Sequence, residues 1–481
     1  MTDTVRGAAR APADTNANRF WYGLGHGAEG IKTSALSSVV LFYFSQVLGL
    51  DAKLAGLALL LAVVTDGIAD VLIGAWSDST LSRWGRRHPF MYAAALPFAL
   101  SFAAIFLAPQ GMSQGAMFAW LLIGCLIARN AMAMFIVPYY ALGVELSSDH
   151  DARTTIVAYR AVFNYLGMML VFVVGAVIFT SSASYPSGQL DPSRYPLYGV
   201  LLGAIMLFMT LGCTIGTHNT IPHLPKALES DRFHLGRLVA DVGRALGQRS
   251  YAALFFGLFI WATGLIVLRI MEIYLATYFW RLDHSLVFLL PLCGYVASLF
   301  ATPLWAWIAG RLGKRPAILL SLGGSLLAYA LLISARAFDI LTPQTPHYVV
   351  IVFAGSFIAA MISSAAVVLG GAMLADVCDE FELKTGLRRE GVLSGGTAFI
   401  TKCSTGVAGQ IAGLIIGGVA LAPKADPTTV SEAVSNHLAL AAVMTFALFT
   451  IASGACFAAY PLSRHRVHEI QAALRARAGG Q

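Results

Sequence analysis

Charge is what this sequence has least of. Only 12% of its 481 residues are Asp, Glu, Lys or Arg, against about 25% in an ordinary soluble domain. With 57% hydrophobic residues and a mean hydropathy of +0.71, a water-soluble fold would need an implausibly large core. Cysteine is sparse as well. Cys125, Cys213, Cys293, Cys378, Cys403 and Cys456 form no CxxC pair and lie in or near apolar runs, so buried inert thiols are expected rather than disulfides or a metal site. Residues 1–19 are polar and Ala-rich, without the apolar core of a cleaved signal; they read as a disordered cytoplasmic tail. No metal-ligand cluster, nucleophile motif or soluble catalytic domain stands out. That argues against a membrane enzyme or a receptor, and no cofactor is expected.

What the chain has instead is length of apolar run. A hydrocarbon core of about 30 Å takes roughly 20 helical residues to cross. Twelve stretches of that order are present, at 20–48, 54–77, 89–109, 115–145, 155–181, 197–218, 251–280, 286–309, 315–334, 348–380, 391–422 and 436–460. An all-α membrane protein with twelve transmembrane helices is therefore expected. With the N-terminus in the cytoplasm, the cytoplasmic segments hold 22 Lys and Arg, and the opposite loops hold five, Lys53, Arg194, Arg281, Arg336 and Lys424. This is the positive-inside asymmetry. It places both termini in the cytoplasm and accounts for the net charge of +7 as a topology signal, with no nucleic acid as partner.

The spans divide six and six about the polar stretch 219–250, read as a cytoplasmic linker whose FHLGRLVADVGRAL segment lies on the membrane surface. The expected organisation is a bundle over 20–218, the linker, a second bundle over 251–460 and a cytoplasmic tail over 461–481. A short repeat supports it: RWGRR-HP (Arg83 to Pro89) follows span 2, and RLGKR-P (Arg311 to Pro316) follows span 8. Spans 4 and 10 share a weaker echo, VELSSDHDAR and ADVCDEFELKTGLRR. Two similar six-helix halves are the design of carriers that bind solute at the bilayer midplane.

Ionisable groups inside spans are expensive, so each is a candidate for function. Asp66 and Asp70 lie mid-span, four residues apart, on one helix face and about 6 Å apart along the axis. Two such carboxylates repel, so one should hold a proton or share a cation; the alternative is a structural pair bridged to another helix. Lys402, about three turns beyond Glu390, could reach the acids and reset with them, or form a static pair. Arg160 can clamp hydroxyls or a carboxylate, or pair with Asp66 or Asp70. Glu29 with Lys32, and Arg269 with Glu272, have i,i+3 spacing: solute site or local pairing. Arg129 has no evident role, and His26 reads as a packing residue. Tyr139 and Tyr140 follow Pro138 in IVPYYALG and offer stacking faces and hydroxyls of the kind sugars favour. The Gly-rich faces GLGHGAEG and GVAGQIAGLIIGG allow close helix approach. Asp78, Arg83, Arg86, Arg87, Glu145, Arg311, Lys314, Arg315 and Asp376 are read as latches at the basic turns, closed in one transport state only.

The D-x-x-x-D of span 2 followed by SRWGRRHPF resembles the glycoside–pentoside–hexuronide:cation symporters of the major facilitator superfamily, of the melibiose permease-like kind. The resemblance continues through YGLG, FYFSQVLGL, VPYYALGVELSSDHDART, Arg160, MLADVCDEFELKTGLRREG and Lys402. It implies two pseudo-symmetric six-helix bundles, with Asp66 and Asp70 as cation-site carboxylates, Lys402 beside them, Arg160 as a sugar-site arginine and Tyr140 where an aromatic stacks on the sugar. The departures matter. Gly30 and Ile136 stand where the family pattern has sugar-binding acids, and Ala69 and Ala133 where it has neutral cation ligands. A sodium ion needs several oxygens, whereas a proton needs one carboxylate, so the co-transported ion is expected to be H⁺ rather than Na⁺. The implied protein is a monomeric symporter in lipid, importing a sugar or glycoside across a bacterial inner membrane. Loss of the sugar acids leaves a same-fold carrier of an amphiphile such as a lysolipid as the alternative.

Overall fold

The computed structural model describes residues 15–80, 82–147, 149–224, 243–386 and 390–479. Among them are twelve helices long and apolar enough to cross a membrane: α1 Asn16–Leu48, α2 Ala52–Ser79, α3 His88–Phe106, α4 Gln114–Glu145, α5 Asp151–Ile178, α6 Pro192–His223, α7 Arg249–Phe279, α8 His284–Leu312, α9 Lys314–Ala337, α10 Tyr348–Thr385, α11 Gly391–Gly418 and α12 Glu432–Ala458. No strand occurs among the described residues. In lipid the backbone must satisfy its own hydrogen bonds, and the helix does so within one segment. A thirteenth helix, α13, covers Arg464–Gly479.

Helix starts follow capping chemistry. Ser113 accepts from the Ala116 N–H before α4, Asp149 from the Ala152 N–H before α5, and Ser431 from the Val434 N–H before α12. Thr15 does the same for Asn18, so α1 begins at Asn16 and the polar tail expected through 19 ends sooner. Inside α1 and α7 the winding loosens into π-helical turns, at Tyr43–Leu48 and Leu275–Phe279. Pro138 is accommodated within a helix that continues to Glu145.

The chain forms two compact units. The first comprises 15–36, 61–179 and 191–224; the second comprises 37–60, 180–190 and 243–479. In the first, the Asn16–Ser34 part of α1 packs on α5 and α6, and α3 packs on α4 and α6. In the second, α7 packs on α11 and α12, and α9 packs on α10 and α12. Each second-unit pairing is a first-unit pairing moved six helices along, which makes the two six-helix bundles pseudo-symmetric. Segment 37–60 is tied to α7 by a Ser45–Tyr274 hydroxyl bond of 2.7 Å and by Tyr278 donating to Gln46 at 3.0 Å. It also meets α11 backbone to backbone: a Cβ on Gly413 would lie 2.3 Å from the Ala52 carbonyl oxygen.

The expected surface helix within 219–250 falls largely on residues 225–242, outside those described. The segment expected as a tail over 461–481 contains α13. Ile470 is buried, and Val467 and Leu474 pack with it against a core that includes Met373, Val377 and Phe381 of α10. Those three apolar residues recur at helical spacing, so one face of a very polar helix has a place to go.

Candidate functional site

Helix α2 positions the two acids. Leu61, Val64, Ile68, Leu72 and Trp76 form an exposed apolar stripe along it, the face a lipid-contacting helix needs. At 100° per residue Asp66 and Asp70 point about 160° away from that stripe. Asp66 is buried, and its carboxylate lies 3.6 Å from the guanidinium of Arg129, also buried, on α4. The span-4 arginine without an evident role therefore has one: it holds the charge of Asp66. Arg160 does not take that place. Its guanidinium lies 4.9 Å from the ring centroid of Tyr140, a cation–π contact.

Around Tyr140 the first unit carries an aromatic wall. Tyr22 and Tyr139 stack with centroids 4.2 Å apart and planes 6° from parallel. His26 lies nearly parallel to Tyr139 at 5.9 Å. The Tyr139 hydroxyl donates to the Tyr22 carbonyl at 2.9 Å. His26 was expected to be packing; it is a hydrogen-bonded member of the wall. Its Nδ1 is 3.2 Å from the Arg160 carbonyl oxygen, which can only accept, so Nδ1 carries the proton. In the neutral ring, Nε2 then accepts from the Tyr140 hydroxyl at 3.0 Å. Asp70 and Glu29 lie within electrostatic reach of that same hydroxyl, so of the two acids on α2 it is Asp70 that bears on the wall.

The wall depends on the Gly-rich face of α1. A Cβ on Gly30 would sit 2.2 Å from the Asn164 carbonyl oxygen of α5, and one on Gly167 would sit 2.1 Å from the Gly27 carbonyl oxygen. The two backbones touch there, so an acid at position 30 would force the helices apart. The missing carboxylate is thus a packing requirement of this chain.

The other candidates distribute as follows. Glu29 pairs with Lys32 at 2.9 Å and accepts from Thr33. In the second unit Arg269 lies 3.9 Å from Glu272 and 4.8 Å from the ring centroid of Tyr295. Lys402 stands half-buried on α11. At the first basic turn, Arg86 and Arg87 both reach Glu145, at 2.6 and 3.1 Å, and Arg87 also reaches Asp78 at 2.5 Å. At the second, Lys314 pairs with Asp376 at 2.6 Å. Arg83 lies over Trp84 and Arg311 over Trp307, while Arg315 is exposed. Three contributors escaped sequence reasoning: Tyr22, His26 and the Arg129–Asp66 pair. A His within a Gly-rich run, one turn before an acid, was the available signal for the second.

The profile of the MFS/sugar transport protein family matches residues 21–464. The isoprimeverose transporter of Lactiplantibacillus pentosus is 23% identical, over 91% of this chain and 87% of that one. The sodium-dependent lysophosphatidylcholine symporter 1 of Mus musculus is 24% identical, over 76% of this chain and 71% of that one. Among solved structures, a D-xylose-proton symporter superposes with a TM-score of 0.59 at 16% identity, over 90% of this chain and 96% of that one, a likeness of fold. These relatives are transporters, and so is this multi-pass membrane protein, a carrier and not an enzyme. The chain belongs to the MFS/sugar transport protein family, the glycoside–pentoside–hexuronide:cation symporters of the major facilitator superfamily.

Proposed function

We propose that the protein imports a sugar or glycoside across a bacterial inner membrane, with both termini cytoplasmic, by symport with a proton in preference to sodium. The observation that carries this reading is the first unit's hydrogen-bonded His26–Tyr140–Arg160 wall, with Asp70 within electrostatic reach of the Tyr140 hydroxyl. Asp66, compensated by Arg129, is the fixed charge. Asp70 is the site where the co-transported cation arrives, and Lys402, on α11, is a further coupling candidate. The wall supplies a stacking face from the exposed Tyr140 and hydroxyl-directed donors from Arg160, while Tyr139, buried and stacked on Tyr22, backs the wall and is not itself open to a solute. Glu29 and Lys32 in the first unit, and Arg269 and Glu272 in the second, are further solute-site candidates, and the basic turns latch one state of the alternating-access cycle. Proton coupling follows from Ala69 and Ala133, which offer no oxygen where a sodium shell would need it.

Uptake by proteoliposomes against a glycan panel, with proton and sodium gradients imposed separately, tests the reading. Glycoside accumulation on a proton gradient is expected, and it should vanish in Asp70→Asn. Full uphill accumulation in that variant would overturn the coupling assignment. The lysophosphatidylcholine-symporter relative supports a second reading, an amphiphile carrier. It wins if lysolipids, and not glycosides, compete for binding.

A further inference from the structure

The second unit holds a cavity of about 750 Å³ that borders the Lys314–Asp376 latch and has no solute role in the transport reading. It opens where α8 ends, α9 begins and α13 crosses them. Its polar lining is basic: Lys314 and Arg315 from the α8–α9 turn, and Arg464 and His468 from α13. Its acid, Asp376, is already engaged by Lys314 at 2.6 Å. Among the described residues no carboxylate is ion-paired with Arg315 or Arg464. Arg464 instead spends a donor on the Gly310 carbonyl, at 3.0 Å, which fixes the side chain at the cavity edge. Apart from Ser463 and Gln471, the remaining walls are apolar, including Leu312 and Leu369.

The surroundings place this cavity at the rim of the bilayer. Trp307 is exposed on α8, with Arg311 stacked over it at 3.9 Å, the pairing that marks an interfacial belt. Helix α13 buries Ile470, while Arg466, Arg475 and Arg477 are exposed. A basic helix over an apolar-walled basic cavity matches an anionic lipid, with its phosphate at the cations and its chains along the apolar wall. A free phosphate would have no use for that wall.

We propose that this cavity binds an anionic phospholipid, its phosphate held by Arg315, Arg464 and His468 and its acyl chains leaving past Leu312. The bound lipid bridges α13 to the α8–α9 turn, beside the Lys314–Asp376 pair. This goes beyond the transport reading and stands whatever the solute is.

The test uses the purified full-length chain in detergent, titrated with phosphatidylglycerol, phosphatidylcholine or inorganic phosphate. Thermal unfolding and native mass spectrometry are the readouts. Phosphatidylglycerol should bind and raise Tm by several degrees, and the other two should not. Arg315→Gln with Arg464→Gln should weaken phosphatidylglycerol binding about tenfold or more, at about 1 kcal/mol per interfacial cation. Arg475→Gln, on α13 but outside the cavity, should leave it unchanged. Equal binding of phosphatidylcholine would overturn the proposal as non-specific. The same shift with inorganic phosphate would make this a free-anion site, and undiminished binding in the double variant would place the lipid elsewhere. If the double variant does not fold, the wild-type preference decides: less than about threefold for phosphatidylglycerol over phosphatidylcholine rejects the site.

Discussion

The two basic turns are copies in sequence and unequal in structure. At RWGRR, two arginines converge on Glu145, and Arg87 adds Asp78 and the Ser77 hydroxyl. At RLGKR, Lys314 stands in for one of those arginines and reaches Asp376 and the Ala372 carbonyl. The Arg87 side chain is 6% exposed, whereas the Lys314 side chain is 35% exposed. A planar guanidinium holds several acceptors in fixed directions; an ammonium on a flexible stem is a point charge. The first turn is therefore a closed network and the second a single hinge pin. The same motif serves both bundles, and the chemistry at one position decides how firmly each is fastened.

Substitutions can break that inequality in graded steps. Glu145→Gln should have the largest effect. It strands Arg86 and takes the shared acceptor from the buried Arg87, which keeps Asp78 and Ser77, and should cost about 3 kcal/mol, read as a lower unfolding temperature in detergent. Asp376→Asn should cost less, about 1 kcal/mol, because Lys314 can turn toward water and keep the Ala372 carbonyl. A loss as large as that of Glu145→Gln would erase the distinction between the turns. Lys314→Arg should narrow the gap by about 0.5 kcal/mol, since a fork can hold Asp376 in two contacts; a double-mutant cycle with Asp376→Asn measures it. The smallest change is expected at the stacked arginines. Arg83→Gln and Arg311→Gln each remove an exposed cation–π contact and should shift stability by no more than about 1 kcal/mol. A larger loss at Arg311 would show the second turn depending on Trp307.

What could be read beforehand follows from what lipid demands. Twelve spans were legible because crossing a bilayer requires about 20 apolar residues in succession, and nothing tertiary can waive that. The Asp66–Asp70 spacing was legible because four residues return a helix to the same face. Arg129 was not, because its partner lies on another helix, and no spacing rule links α2 to α4. His26 was missed for a related reason: its role rests on a backbone carbonyl of α5 and a hydroxyl of α4. The start of α1 at Asn16 needed only Thr15 as a cap. In α13 the buried face is three residues wide, Val467, Ile470 and Leu474, and the surrounding arginines outweighed it in composition. The compact units also cut across chain order, since 37–60 packs with α7 and α11 through contacts such as Gln46 with Tyr278 and Ala52 with Gly413.

The proton on His26 has one more consequence. Because Nδ1 is committed to the Arg160 carbonyl, the Tyr140 hydroxyl must give its own hydrogen to Nε2. Its oxygen is left with lone pairs only. Beside it, the guanidinium of Arg160 has hydrogens only. The wall thus has a polarity: one neighbour can receive a hydrogen and the next can give one, at adjacent points.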